Sequence, residues 1–182
     1  MKKPESYVPI HCRSHYSLLR GIYSPEKLVD FAVQMAAPAV GLVDINGFYG
    51  LIRFAQAADR RGLKALYGSA LYDGRQHLCT LLCLGKEGFA RANEILSAHI
   101  DSQEGRREAY DPIEDLLQGG WRGLWVVSSR IEVLERLLRA GDSGLYAGLP
   151  YGVPYGTLRR WAAERGLPLL AYNDAVYRST ED

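Results

Sequence analysis

Apolar residues fall along this chain in two alternating rhythms, short continuous runs and longer stretches with helical spacing. The short runs at 7–11, 39–43, 64–67, 77–84, 124–127, 145–148 and 169–172 read as seven strands. Helical patterns fill most of the gaps, at 25–35, 51–61, 86–98, 112–117, 131–139 and 158–165. Ser24 can cap the first helix, with Pro25 at its first position and Glu26 at the positive end of its dipole. The second helix presents Ile52, Ala55 and Ala58 on one face and closes at Gly62, as the last closes at Gly166.

Only the third and fourth strands lack a helix between them. There Asp73-Gly74 is a turn signal and predicts a hairpin-like excursion over 70–78. Repeated strand-helix units imply a parallel sheet, either doubly wound or closed into a barrel, and the pattern alone does not choose. A barrel brings the residues after the first, second and last strands to one mouth, so that 11–15, 44–46 and 173–174 face one another. The charged segment 101–111 reads as a solvated loop. Internal repeats and low-complexity tracts are absent from the sequence.

Composition narrows the class. With 182 residues, 47% of them hydrophobic, the chain can bury a sizeable core and suggests one domain. Its 22 Lys and Arg balance 21 Asp and Glu, which excludes the global basic field of a non-specific nucleic-acid binder. No run of 18 apolar residues occurs and the first residues lack a signal-peptide core, so a cytoplasmic protein with no membrane partner is expected. Cys12, Cys79 and Cys83 form no CxxC pair, and reduced thiols are expected. Cys12 beside His11 is a weak metal pair, because neighbours on a strand point to opposite faces. Tyr151 and Tyr155, near Arg159, Arg160 and Trp161, suggest either base stacking on single strands or packing on the core, and packing is favoured. Twelve tyrosines also make an interface role plausible.

The most informative stretch is His11-Cys12-Arg13-Ser14-His15-Tyr16-Ser17-Leu18-Leu19-Arg20-Gly21, which looks like a metal-site motif with arginines among its ligands. It resembles the motif His-x-His-Ser-x-Tyr-Ser-Leu-Leu-Asp-Gly of the PHP (polymerase and histidinol phosphatase) domain of bacterial C-family DNA polymerases, the polymerase III α subunit and its error-prone relatives. Four further elements extend the resemblance nearly end to end. The stretch 42–50 is similar to Leu-Thr-Asp-His-Gly-Asn-x-x-Gly, and Tyr67-Gly68-Ser69-Ala70-Leu71 to Ile-Gly-x-Glu-Leu. His77 to Leu82 resembles the strand His-Leu-Thr-Leu-Leu with one residue inserted or shifted, and 168–177 resembles Pro-Leu-Val-Ala-Thr-Asn-Asp-Val-His-Tyr. The His11-Cys12 variant leans toward the error-prone branch.

The resemblance implies a single PHP-like domain over 1–182, an α/β fold of the (β/α)7 distorted TIM-like barrel type with a metal cluster at its mouth. Carried over position by position, few ligands remain. His11, His77 and Asp174 match ligand types and are the residual candidates for zinc, manganese or magnesium. The other positions hold Arg13 for histidine, Arg20 for aspartate, Ile45 for histidine, Ala70 for glutamate and Val176 for histidine, while the cysteine ligand falls near 128–130, where there is none. A di- or trinuclear site holds metals about 3.5–4 Å apart through bridging carboxylates and several imidazoles. Arginine stays protonated and has no lone pair for a cation.

The expectation is therefore a vestigial site, His11, Arg13, Arg20, Asp44, Ile45, Ala70, Asp174 and Val176, with no catalytic residue, no metal and no cofactor. Arg13 or Arg20 is expected to pair with Asp174 or Asp44. Three functions follow as alternatives. The first is a non-catalytic domain in a polymerase III α-type replication or repair system, bracing polymerase domains or docking a proofreading exonuclease and touching DNA indirectly. The second is a residual phosphoesterase or 3′–5′ exonuclease using His11, His77 and Asp174. The third is a stand-alone barrel that binds a ligand or protein in the emptied mouth. The chain alone lacks palm, fingers and thumb and is expected to be inactive, whereas a parent protein would be a DNA-directed DNA polymerase.

Overall fold

The computed structural model describes residues 7–106, 108–141, 143–152 and 154–173. Its elements run in the order α1 (Pro25–Gln34), β1 (Ala39–Ile45), α2 (Leu51–Arg60), β2 (Lys64–Asp73), β3 (Gln76–Cys83), α3 (Lys86–Gln103), α4 (Pro112–Gly119), β4 (Leu124–Ser128), α5 (Ile131–Leu137), β5 (Leu145–Pro150), α6 (Gly156–Glu164) and β6 (Leu169–Tyr172). The six strands form one sheet in sequence order. It is mixed and curled, a half-barrel of the distorted TIM type rather than the all-parallel sheet that the alternating pattern implied.

The departure is β3. The turn at Asp73-Gly74 is tighter than the expected excursion: β2 runs on to Asp73, β3 starts at Gln76, and Gly74 takes φ 54° between them. A hairpin reverses the chain, so β3 is antiparallel to β2 and also to β4, while β1–β2, β4–β5 and β5–β6 are parallel. The expected strand at 7–11 is reduced to one bridge, Cys12 with Leu42. Gly41 donates to the Pro9 carbonyl at 2.8 Å, whereas regular pairing around the Cys12 bridge would use that of Ile10. The register slips by one residue, and Pro9 itself has no N–H to offer.

Helix signals hold with shifted bounds. Ser24 caps α1 by accepting from the Lys27 N–H at 3.3 Å. Gly62 and Gly166 close α2 and α6 in left-handed conformation, and Leu63 and Leu167 donate back to Ala58 and Ala162 at 2.9 Å each, the Schellman pattern. The buried face of α2 is Phe54, Ala57 and Ala58; Ile52, expected inside, is 66% exposed because the bulkier Phe54 anchors the helix. α3 extends to Gln103 and so takes up the first residues of the expected loop 101–111.

Asp111 caps α4, accepting from Ile113 N–H at 2.8 Å and Glu114 N–H at 3.3 Å, and from Arg136 at 2.7 Å. Partial burial pushes its carboxyl up, but the Arg136 bond and the two cap bonds outweigh that and hold it below the usual range. A lowered value stabilises the fold above the unfolded pKa, near 3.9, and that contribution vanishes as pH falls through the folded value. Asp111→Ala is expected to cost about 1 kcal/mol at pH 7, and the difference should shrink as pH falls below the unfolded value. Urea midpoints of the two proteins whose separation stays constant or grows as the pH is lowered would contradict this.

Among the described residues three apolar clusters divide the interior. Leu28, Val29, Val40, Leu42 and Phe54 join α1 and α2 to the outer face of β1. A larger group, with Leu71, Leu81, Ile95, Trp121, Val126 and Leu134, packs α3 to α6 on the outer face of β2 to β5. Trp161 belongs to it, 9% exposed, as core packing predicts, but Tyr151 is 83% exposed and does not pack. The third cluster fills the concave face: Val43, Ala70, Tyr72, Leu82, Val127 and Tyr172, with Ile10, Ile45, Tyr146 and Leu170 against it.

Candidate functional site

Pairing across the sheet sets Ile45 beside Ala70, Ala70 beside Thr80, Thr80 beside Val127 and Val127 beside Tyr146. One row therefore crosses five strands near the mouth. Two positions where the family motif would carry ligands, Ile45 and Ala70, lie in this row, Ala70 inside the concave apolar cluster and Ile45 packed against it. Their side chains carry no donor atom.

Thr80 is the polar member of that part of the row. His11 Nε2 lies 2.9 Å from its Oγ1 and His77 Nε2 3.1 Å from the same oxygen. A hydroxyl has one proton, so at least one of the two imidazoles must carry its own proton on Nε2 and donate it. His11 also stacks on Tyr172 of β6, ring centres 4.6 Å apart, which brings the two ends of the curled sheet together. Cys12 faces outward as strand alternation requires: its thiol donates to the Pro9 carbonyl at 3.6 Å, and burial pushes it up to about 12.

His77 reaches Thr80 through an irregularity. Residues three apart on a regular strand point to opposite faces. Here Leu71 pairs with Cys79 but Tyr72 pairs with His77, so Leu78 is an extra residue, a β-bulge. The bulge lies within 77–82, the stretch that resembles the family strand with one residue inserted or shifted. The Leu78 carbonyl accepts from Ser128 Oγ at 2.6 Å, so a residue of the stretch 128–130, near which the family's cysteine ligand falls, satisfies the bulge.

Asp44 is fully buried at the end of β1. Its Oδ1 accepts from the Ser14 N–H at 2.9 Å, the Ser14 hydroxyl at 2.9 Å and the Ser17 hydroxyl at 2.7 Å, and its Oδ2 from Gly50 N–H at 3.1 Å. Four donors match the roughly four lone-pair sites of a carboxylate. The expected pairing of Asp44 with Arg13 or Arg20 is thus not found. Two serine hydroxyls and two backbone amides, all within the motif stretches, reach it first.

Both arginines converge instead on Tyr72. The buried Arg13 donates from Nη2 to the Tyr72 hydroxyl at 3.0 Å, with its guanidinium carbon 5.7 Å from the ring centre. Arg20 is exposed, with its carbon 5.5 Å from the same centre. Such placement favours a cation over an aromatic face. Asn46, with φ 48°, fixes Tyr72 by pairing both side-chain amide atoms with its backbone, at 2.7 and 2.9 Å. Tyr72, Thr80 and Tyr172 were missed by motif reasoning, since Thr and Tyr in strands are generic, whereas Ser14 and Ser17 stood in the motif. Asp174 and Val176 lie outside the described residues. Among the described residues no three His, Cys, Asp or Glu side chains come together as a metal-holding group. No helix among them is long and apolar enough to cross a membrane.

A curled sheet with this mouth defines a PHP-type domain, and the PHP domain family matches residues 9–151. The chain belongs to that family. It is 34% identical over 132 residues to the error-prone DNA polymerase of Corynebacterium efficiens, a stretch covering 72% of this chain and 12% of that protein. Over 118 residues it is 32% identical to the error-prone DNA polymerase of Mycobacterium tuberculosis, covering 58% of this chain and 11% of that protein. Among solved structures, a protein described as a metal-dependent phosphoesterase from Bifidobacterium adolescentis superposes with TM-score 0.63 at 17% identity, covering 96% of this chain and 89% of that one. An amidohydrolase from Chromobacterium violaceum, with bound sulfate and no metal, gives 0.61 at 18% identity with the same coverage. These two likenesses concern the fold.

Proposed function

We propose that the chain is one PHP-type domain that serves a polymerase III α-type system in DNA replication or repair in the cytoplasm, as a non-catalytic brace or docking element. The observation that carries this reading is the row Ile45, Ala70, Thr80, Val127, which gives the mouth three hydrocarbon side chains and one hydroxyl where a cluster needs ligands. The remaining donors fit a cluster poorly. Asp44 is saturated by protein donors, and one of the two imidazoles on Thr80 uses Nε2 as a donor. In this reading Arg13 supplies the positive charge of the missing metals, with Asp174 as its counter-ion. Polymerase domains and a proofreading exonuclease are the partners it suits, and DNA is reached through them.

A second reading, a residual metal-dependent phosphoesterase or 3′–5′ exonuclease, draws on the phosphoesterase neighbour and on the His11 and His77 rings, 6.2 Å apart. One experiment separates the two. After incubation with zinc or manganese and desalting, the chain is expected to carry well under one metal per molecule and to leave p-nitrophenyl phosphate and single-stranded DNA intact. Stoichiometric metal, with turnover abolished by His11→Ala, would establish the second reading instead.

A further inference from the structure

We propose that the apolar rim beside the mouth is the docking surface for a polymerase-type chain whose contacting segment is apolar and carries a carboxylate. This rests on the polymerase-system reading above and names the surface it would use. Leu18 is 82% exposed and Leu19 fully so, with Ile22 at 43%, Tyr49 at 58% and Ile52 at 66%. Single exposed apolar side chains are ordinary, but a contiguous group marks an interaction site.

These residues come from two segments, and Asp44 joins them. Ser17, next to Leu18, donates to one carboxylate oxygen and Gly50, next to Tyr49, to the other. Arg53 ties the same segments again, its guanidinium donating to the Tyr16 hydroxyl at 3.2 Å. The turn is held rigid from within: Arg20 and Gly21 N–H groups both donate to the Ser17 carbonyl, at 2.9 and 3.0 Å, and Ser17 Oγ accepts from the Ile45 N–H at 3.1 Å. Leu19 is kept in the left-handed region, φ 60°, which leucine rarely adopts. A turn pinned in that conformation with two leucines facing solvent is preorganised for contact, and little ordering entropy remains to be lost on binding.

Charge selects the occupant. Arg20 stands in this rim with its guanidinium over Tyr72, and among the described residues it makes no hydrogen bond or ion pair. A carboxylate arriving with an apolar segment would give it a charge-assisted partner in a partly desolvated place. The matched stretch is 12% of the Corynebacterium efficiens polymerase, so proteins of that kind have ample further chain to lie across the rim.

The test is site-specific photo-crosslinking of the full chain in the cells that make it, with p-benzoylphenylalanine at position 18 or, at the start of β4, at position 125. The expected result is a crosslink from 18 to an apolar, acidic peptide of a polymerase-type chain, absent from 125 and reduced about tenfold by Arg20→Glu. Thermal midpoints of the labelled proteins, within about 2 °C of the parent, show that the turn still folds. A crosslink from 18 to a second copy of this chain overturns the proposal. So does a polymerase crosslink from 125 alone, which leaves the polymerase-system reading standing. Failure to reach a polymerase-type chain from either position overturns both.

Discussion

Replacing Asp44 by alanine is expected to lower the stability of this domain by about 4 kcal/mol. The carboxylate is fully buried, and its removal leaves the N–H groups of Ser14 and Gly50 and the Ser17 hydroxyl without an acceptor. Each buried, unsatisfied donor costs about 1–3 kcal/mol. For a domain of this size that loss corresponds to a drop of roughly 8–16 °C in the thermal midpoint. Asp44→Asn is the sharper variant, because it keeps the shape but turns one acceptor into a donor facing donors, and it should recover less than half of the loss. Urea unfolding of the three proteins measures the effect. If Asp44→Asn matched the parent, a fixed acceptor for four donors would be the wrong account of this residue.

Gly41→Ala should also destabilise the domain, by about 2–3 kcal/mol, through a different cause. A Cβ at position 41 would stand 2.3 Å from the Ile10 carbonyl oxygen and 2.9 Å from its Cα, both backbone atoms that no rotamer change can move. The glycine admits the segment that carries His11 and Arg13 onto the edge of β1, where Cys12 donates to the Gly41 carbonyl at 3.2 Å and accepts from Val43 at 2.7 Å. The added methyl would push that segment away and loosen the stacking of His11 on Tyr172. Amide exchange of Val43 reports the event directly, since its acceptor is the Cys12 carbonyl. Unchanged exchange at Val43 together with an unchanged midpoint would show that the close approach is not needed.

The two substitutions also mark where the sequence could and could not be read. Strand and helix alternation was legible because apolar period and caps agree, as at Ser24-Pro25, Gly62 and Gly166. The turn was legible from Asp73-Gly74 and already implied a reversed β3; the parallel sheet read from the repeated strand-helix units is what that reversal breaks. Strand character at 7–11 was overstated because its residue pattern is strand-like while Pro9 and the register slip beside Gly41 break the ladder. At the mouth, the family motif pointed to His11, Arg13, Arg20 and Asp44 by type. Partners are another matter, since pairing depends on which group arrives first in three dimensions. Ser14 and Ser17 reach Asp44, Tyr72 draws both arginines, and the bulge at Leu78 alone brings His77 to Thr80.

The apolar row across the sheet bears on how such a mouth could change over time. Placing an imidazole at 45 or a carboxylate at 70 would, one substitution at a time, set a polar group among Val43, Tyr72, Leu82 and Val127 with no metal yet able to bind it. Each step would cost about 1–3 kcal/mol before any later one could repay it, out of a total stability of roughly 5–15 kcal/mol. Building a metal cluster on this lining would therefore demand several coordinated replacements, because a single polar replacement at 45 or 70 lowers stability before any metal can repay it.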